Sequence, residues 1–244
     1  MKNMLIMTDF SESAFRASEY GCELAGSLGI KRILLYHAYQ AAIAFANPTG
    51  VPLVNNDDQE VYLQSMEELS LLQDRLRSMT GKGIEIDLVA EDSGLTGMAW
   101  QVNEQTRKEE IGIIVMGASG KSGLDKFLLG STTTQLLQKG ECPVLIVPED
   151  VLLGKGINTI VLTTDLSEID KLPVLHLHEL LDALPAKLQV VNVKSKGKER
   201  NSPKQEKAIA DLEEILKNYD PGFNYVNGDN VVEEIIGFAR EQQA

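Results

Sequence analysis

The richest chemistry in this sequence lies between Met116 and Thr133, which read Met-Gly-Ala-Ser-Gly-Lys-Ser-Gly-Leu-Asp-Lys-Phe-Leu-Leu-Gly-Ser-Thr-Thr. Gly117 and Gly120 carry no Cβ, so they admit positive φ and let backbone N–H groups approach a ligand closely. Gly130, Ser131, Thr132 and Thr133 stand at the start of a helical pattern, where unpaired N–H groups and the helix dipole attract anions. The three hydroxyls add donors. Lys121 and Lys126 add positive charge to a chain whose formal net charge is −13. Together these groups suit a polyphosphate. Two common phosphate-binding patterns do not fit. A Walker A loop would need glycine where Val115 stands, and a dinucleotide fingerprint would need glycines after the first strand, where the chain has Thr8-Asp9-Phe10-Ser11. Glycines at this spacing also occur in loops that bind nothing, so the flanking elements must decide.

Those elements are apolar runs alternating with helical patterns, the signature of βαβ units and a parallel sheet. Met4 to Met7 predicts a buried first strand. Ala14, Ala17, Ser18, Gly21, Ala25 and Leu28 then recur at helical spacing, with small residues that let a helix lie close on a sheet, and Gly29 stops it. Further strands are predicted at Arg32–His37, Ile84–Val89, Ile111–Met116 and Val144–Val147. Further helices are predicted through Tyr62–Leu76, around Met98 and Val102, and over Thr132–Lys139. Residues 39–58 contain Asn47-Pro48-Thr49-Gly50 and Asn55-Asn56-Asp57-Asp58 and read as a long exposed loop. The result is one α/β domain over residues 1–150, a doubly wound parallel five-stranded sheet with helices on both faces. Its glycine loop leaves the fourth strand at the carboxyl end, where such sheets hold ligands.

After a linker at Glu149–Gly156 the chain repeats itself. Ile160-Val161-Leu162-Thr163-Thr164-Asp165-Leu166-Ser167-Glu168 matches Met4 to Glu12, with Thr8, Asp9, Ser11 and Glu12 recurring as Thr164, Asp165, Ser167 and Glu168. A second strand (Leu188–Asn192), a helix (Lys204–Tyr219), a weak strand (Phe223–Val226) and a helix (Val231–Arg240) follow. Duplication explains this pattern. The second copy, residues 155–244, contains no counterpart of strands four and five or of the glycine loop.

An acidic chain without basic stripes is not expected to bind nucleic acid, whose phosphates must be neutralised by Lys and Arg, or an anionic membrane. Cys22 and Cys142 have no partners at metal-ligand spacing and read as reduced, buried thiols of a cytoplasmic protein. No apolar run approaches a membrane span or a signal h-region. His176 and His178 point away from each other on a helix, which argues against a shared metal. Trp100 reads as helix core or surface packing. Asp9 can accept bonds from a ligand or cap the first helix with Ser11. For His37, at a strand's carboxyl end, ligand contact and plain packing are both open. No catalytic base or nucleophile is visible at the loop, so an enzyme is not expected.

On these residues the chain resembles the universal stress protein family, over essentially its whole length as a tandem. ATP-binding members carry a G-x₂-G-x₉-G-[S/T] loop, matched here by Gly117, Gly120, Gly130 and Ser131. The resemblance implies a sheet of order 3-2-1-4-5 and an adenine nucleotide, ATP with Mg²⁺, at the ends of strands one and four. Asp9 matches the aspartate near ribose and adenine, with Thr8 beside it. His37 and Ala38 match the adenine-pocket residues, and Met116 the residue before the loop. Ala118-Ser119 departs from the Thr-His of many members without removing a loop glycine. The resemblance also implies fifth-strand pairing, hence a homodimer through Val144–Val147. The function it implies is nucleotide binding in a stress-response regulatory role. The alternative is a protein-interaction module of the same fold that binds no nucleotide.

Overall fold

The computed structural model describes residues 2–40, 57–94, 97–118, 131–194 and 202–244. The chain divides into two compact units, Met1–Gly154 and Lys155–Ala244.

The first unit runs β1 (Asn3–Met7), α1 (Glu12–Ser27), β2 (Arg32–Tyr39), α2 (Asp57–Arg77), β3 (Glu85–Asp92), α3 (Met98–Lys108), β4 (Ile111–Gly117), α4 (Ser131–Lys139) and β5 (Val144–Val147). The strands form one parallel sheet in the order β3-β2-β1-β4-β5. β1 is apolar without alternation because both faces of a parallel sheet are covered; Met4, Leu5 and Ile6 are wholly buried. On one face α1 lies so close that a Cβ on Gly21 would come within 2.9 Å of Ile6 Cδ1. The small residues on that helix are therefore a packing requirement. On the other face Leu5, Met7, Tyr36, Ile114 and Met116 pack with Ala99 and Val102 of α3 and Leu136 of α4.

Three strands run further toward their carboxyl ends than their apolar runs predict. β2 and β3 stay in unbroken register from Arg32↔Glu85 to Tyr39↔Asp92, and β4 continues to Gly117, paired with Val147. Cross-strand pairing carries these polar ends, so apolar periodicity did not reveal them. The expected loop over 39–58 is correspondingly shorter, since Tyr39 ends β2 and Asp57 opens α2; residues 41–56 lie outside the described part. Cys22 and Cys142 are free. Burial pushes both thiols up, Cys142 to about 11, which makes them poor nucleophiles at neutral pH.

The second unit runs β6 (Thr159–Thr163), a 3-10 turn (Ile169–Lys171), α5 (Val174–Ala183), β7 (Lys187–Lys194), α6 (Pro203–Leu216), a second 3-10 turn (Lys217–Tyr219), β8 (Gly222–Asn227) and α7 (Val231–Glu241). Its parallel sheet has the order β6-β7-β8. Leu166, Leu188, Val190, Leu212 and Leu216 are among the residues of its core. Ser202 and Gln205 close a capping box at the start of α6, with Pro203 in the first turn. Where the first unit has the single helix α1, this unit has a 3-10 turn, a break and then α5. Pro173 accounts for the break: it disfavours helical backbone at the preceding residue, and Leu172 is extended at φ −60°, ψ 136°.

Candidate functional site

β1 ends in a tight turn whose bonds come from its own polar side chains. Thr8 N–H donates to Tyr36 O at 2.9 Å, extending the β1–β2 ladder by one residue. Thr8 Oγ1 accepts from Phe10 N–H at 3.0 Å. Asp9 Oδ1 accepts from Ser11 N–H at 3.0 Å and from Ser11 Oγ at 2.5 Å. These local turns hold Phe10 in the left-handed region at φ 61°, a conformation that costs a bulky residue energy unless its surroundings fix it. Ser11 Oγ then accepts from Ala14 N–H at 3.2 Å and caps α1. Of the two roles open to Asp9, the structure shows the capping one. Both of its bonds fall on Oδ1, and Asp9 is exposed, so Oδ2 remains available to an outside donor.

The turn is held from both sides. On the β2 side, His37 Nδ1 lies 2.8 Å from Thr8 O. A carbonyl can only accept, so Nδ1 carries the proton and Nε2 is the nitrogen left over. Phe10 packs on the His37 ring at 4.4 Å between centroids. On the β4 side, Ser13 Oγ donates to Ala118 O at 2.8 Å. A Cβ on Gly117 would sit 2.6 Å from Ser13 Oγ and 2.8 Å from Ser13 backbone atoms. Gly117 has no positive φ among the described glycines, so it is needed here for close approach and not for backbone conformation.

Of the residues singled out in the sequence, Thr8, Asp9, His37, Ala38, Met116 and Gly117 therefore meet at the carboxyl ends of three adjacent strands. Their roles differ. Thr8 spends its N–H, hydroxyl and carbonyl on the turn. Met116 is 6% exposed and belongs to the core under α3 and α4, against which Ala38 also packs. Asp9, with its unused oxygen, is the exposed polar group of the set. Gly120, Lys121 and Gly130 lie outside the described residues. Ser131, Thr132 and Thr133 form the first turn of α4. Sequence reasoning missed Ser13 and Phe10: neither carries a motif, and their roles arise from contacts with β4 and β2. Among the described residues no group of three or more His, Cys, Asp or Glu could hold a metal. His178 is occupied by packing, its Nε2 2.9 Å from Ile215 O. No described helix is long and apolar enough to cross a membrane.

Residues 1–148 match the profile of the Universal stress protein family. Universal stress protein YxiE of Bacillus subtilis (strain 168) is 25% identical over 146 residues, covering 59% of this chain and 97% of the relative. A crystal structure of a universal stress protein from Archaeoglobus fulgidus DSM 4304 aligns with a TM-score of 0.73 at 19% identity, covering 99% of this chain and 84% of that one. A functionally unknown protein from Pseudomonas aeruginosa PAO1 aligns with a TM-score of 0.61 at 14% identity, covering 100% of this chain and 79% of that one. At these identities the two structures speak to fold alone, and they do so for both units.

Proposed function

The chain belongs to the universal stress protein family, and on that premise we propose that its first unit binds ATP or a related adenine nucleotide with Mg²⁺ in a regulatory role without rapid turnover. The observation that carries this reading is the placement of the Asp9 turn. It lies between the ends of β2 and β4, and the G-x₂-G-x₉-G-S sequence begins at the end of β4, at Gly117. A doubly wound sheet holds ligands at this switch point, where helix dipoles and backbone N–H groups converge. In this assignment Asp9 Oδ2 accepts from a ribose hydroxyl, the His37–Ala38 edge meets the base, and the loop amides with Lys121 take the phosphates. The apolar edge strand β5 supports pairing of two chains through Val144–Val147, which light scattering tests directly.

Thermal unfolding with millimolar Mg-ATP tests the nucleotide reading, because a ligand bound to the native state alone raises Tm. The wild-type chain is expected to gain several degrees and a Gly130→Asp variant none. No shift in the wild-type chain would contradict the proposal and favour an interaction module.

A further inference from the structure

A second recess, separate from the residues of the nucleotide proposal, opens at the carboxyl end of the edge strand β3. It has a volume of about 450 Å³ and lies among β2, β3, α2 and α3. Three aromatic rings line it: Tyr39 at the end of β2, Tyr62 on α2 and Trp100 on α3. Tyr62 is 41% and Trp100 54% exposed, an unusual amount of aromatic surface to leave facing water in one place. Carboxylates of Glu91, Asp92 and Glu104 complete the wall.

Glu91 is held by neutral groups. Its Oε2 accepts from Tyr36 Oη at 3.0 Å and its Oε1 from Gln105 Nε2. No lysine or arginine among the described residues forms an ion pair with it, whereas Glu104 is already paired with Arg107. The negative potential is also felt by the Tyr39 hydroxyl, which is pushed up first by burial and then by Asp92, Asp58, Tyr62 and Glu91. Gln101, also on the wall of the recess, donates its amide N–H to Asp92 O.

Aromatic faces and negative charge held by neutral groups are together complementary to one ligand chemistry. A cation bearing N–H groups on an apolar stem is attracted to ring faces and paired by carboxylates. We propose that the recess formed by Tyr39, Tyr62, Trp100, Glu91 and Gln101 binds a small free organic cation of the alkylammonium class. Its residues are not those of the nucleotide proposal, and it neither stands nor falls with it.

Trp100 is the chain's one tryptophan, so its fluorescence reports on this recess directly. The full chain is titrated with putrescine, and with sodium chloride at matched ionic strength. A saturable change in Trp100 emission with putrescine alone is expected. Glu91→Gln should weaken it roughly fivefold or more. Glu91 also bonds Tyr36, so exposed Tyr62→Leu serves as a second variant, expected to weaken binding with an unchanged circular dichroism spectrum. No saturable change would overturn the proposal, as would an equal response to sodium chloride or wild-type affinity in both variants. Tighter binding of N-acetyl-lysine methylamide than of putrescine would assign the recess to protein lysines and overturn the small-molecule assignment.

Discussion

The turn after β1 and the turn after β6 are built alike, bond for bond. In the second unit Thr164 N–H donates to Val191 O at 3.2 Å, and Leu166 N–H donates to Thr164 Oγ1 at 3.0 Å. Asp165 Oδ1 accepts from Ser167 N–H at 2.9 Å and from Ser167 Oγ at 2.7 Å. Those two bonds hold the Asp165 carboxyl below its ordinary value. Leu166 sits at φ 60°, as Phe10 sits at φ 61°. Asn192 Nδ2 donates to Thr164 O at 2.8 Å, the place of His37 Nδ1. A Thr-Asp-x-Ser turn is thus a way to end a parallel strand in either unit. The difference lies in what stands beside it. In the first unit β4 closes against Ser13 through Gly117 and Ala118. Among the described residues β6 pairs with β7 on one side only. Ser11 also caps a long helix, while Ser167 precedes a 3-10 turn that has no side-chain cap bond.

Substitutions test this contrast. The largest effect is expected at Gly117, the residue without a counterpart among the described residues of the second unit. Gly117→Ala drives a Cβ into Ser13 backbone and should cost about 1–3 kcal/mol in urea denaturation. A neutral result would mean that the β4–α1 approach is loose. Next comes nucleotide affinity. Asp9→Ala should weaken Mg-ATP binding about tenfold, or ~1.4 kcal/mol, while Asp165→Ala leaves it unchanged; equal losses measured by calorimetry would erase the distinction between the units. Ser11→Ala should then cost about 1 kcal/mol of stability through the lost cap, and Ser167→Ala clearly less, as read by denaturant midpoints. The smallest effect is expected for His37→Asn, which installs the second unit's own donor. It should shift stability by no more than about 0.5 kcal/mol. A larger loss would show that the Phe10–His37 ring contact, and not the bond to Thr8, holds the turn.

The sequence was legible where burial is deepest. β1 and β4 stand out as apolar runs, and the small face of α1 announced its close seat on the sheet. The repeat of Thr8-Asp9 as Thr164-Asp165 marked both turns. It was less legible where pairing replaces burial, as at Tyr39, Glu91 and Asp92, whose polar side chains hide a strand end. Of the two readings open to Trp100, helix core or surface packing, the structure shows the surface one, on the wall of a recess. Tyr39, Tyr62, Glu91 and Trp100 come from four elements, and no local spacing could have joined them. Ser13 escaped notice for the same reason, since its partner Ala118 is 105 positions away.

The nucleotide is proposed for the first unit and not the second. Equilibrium dialysis of the full chain against labelled ATP with Mg²⁺ counts the sites directly. One nucleotide per chain is expected at saturation; none, or two, would overturn the assignment.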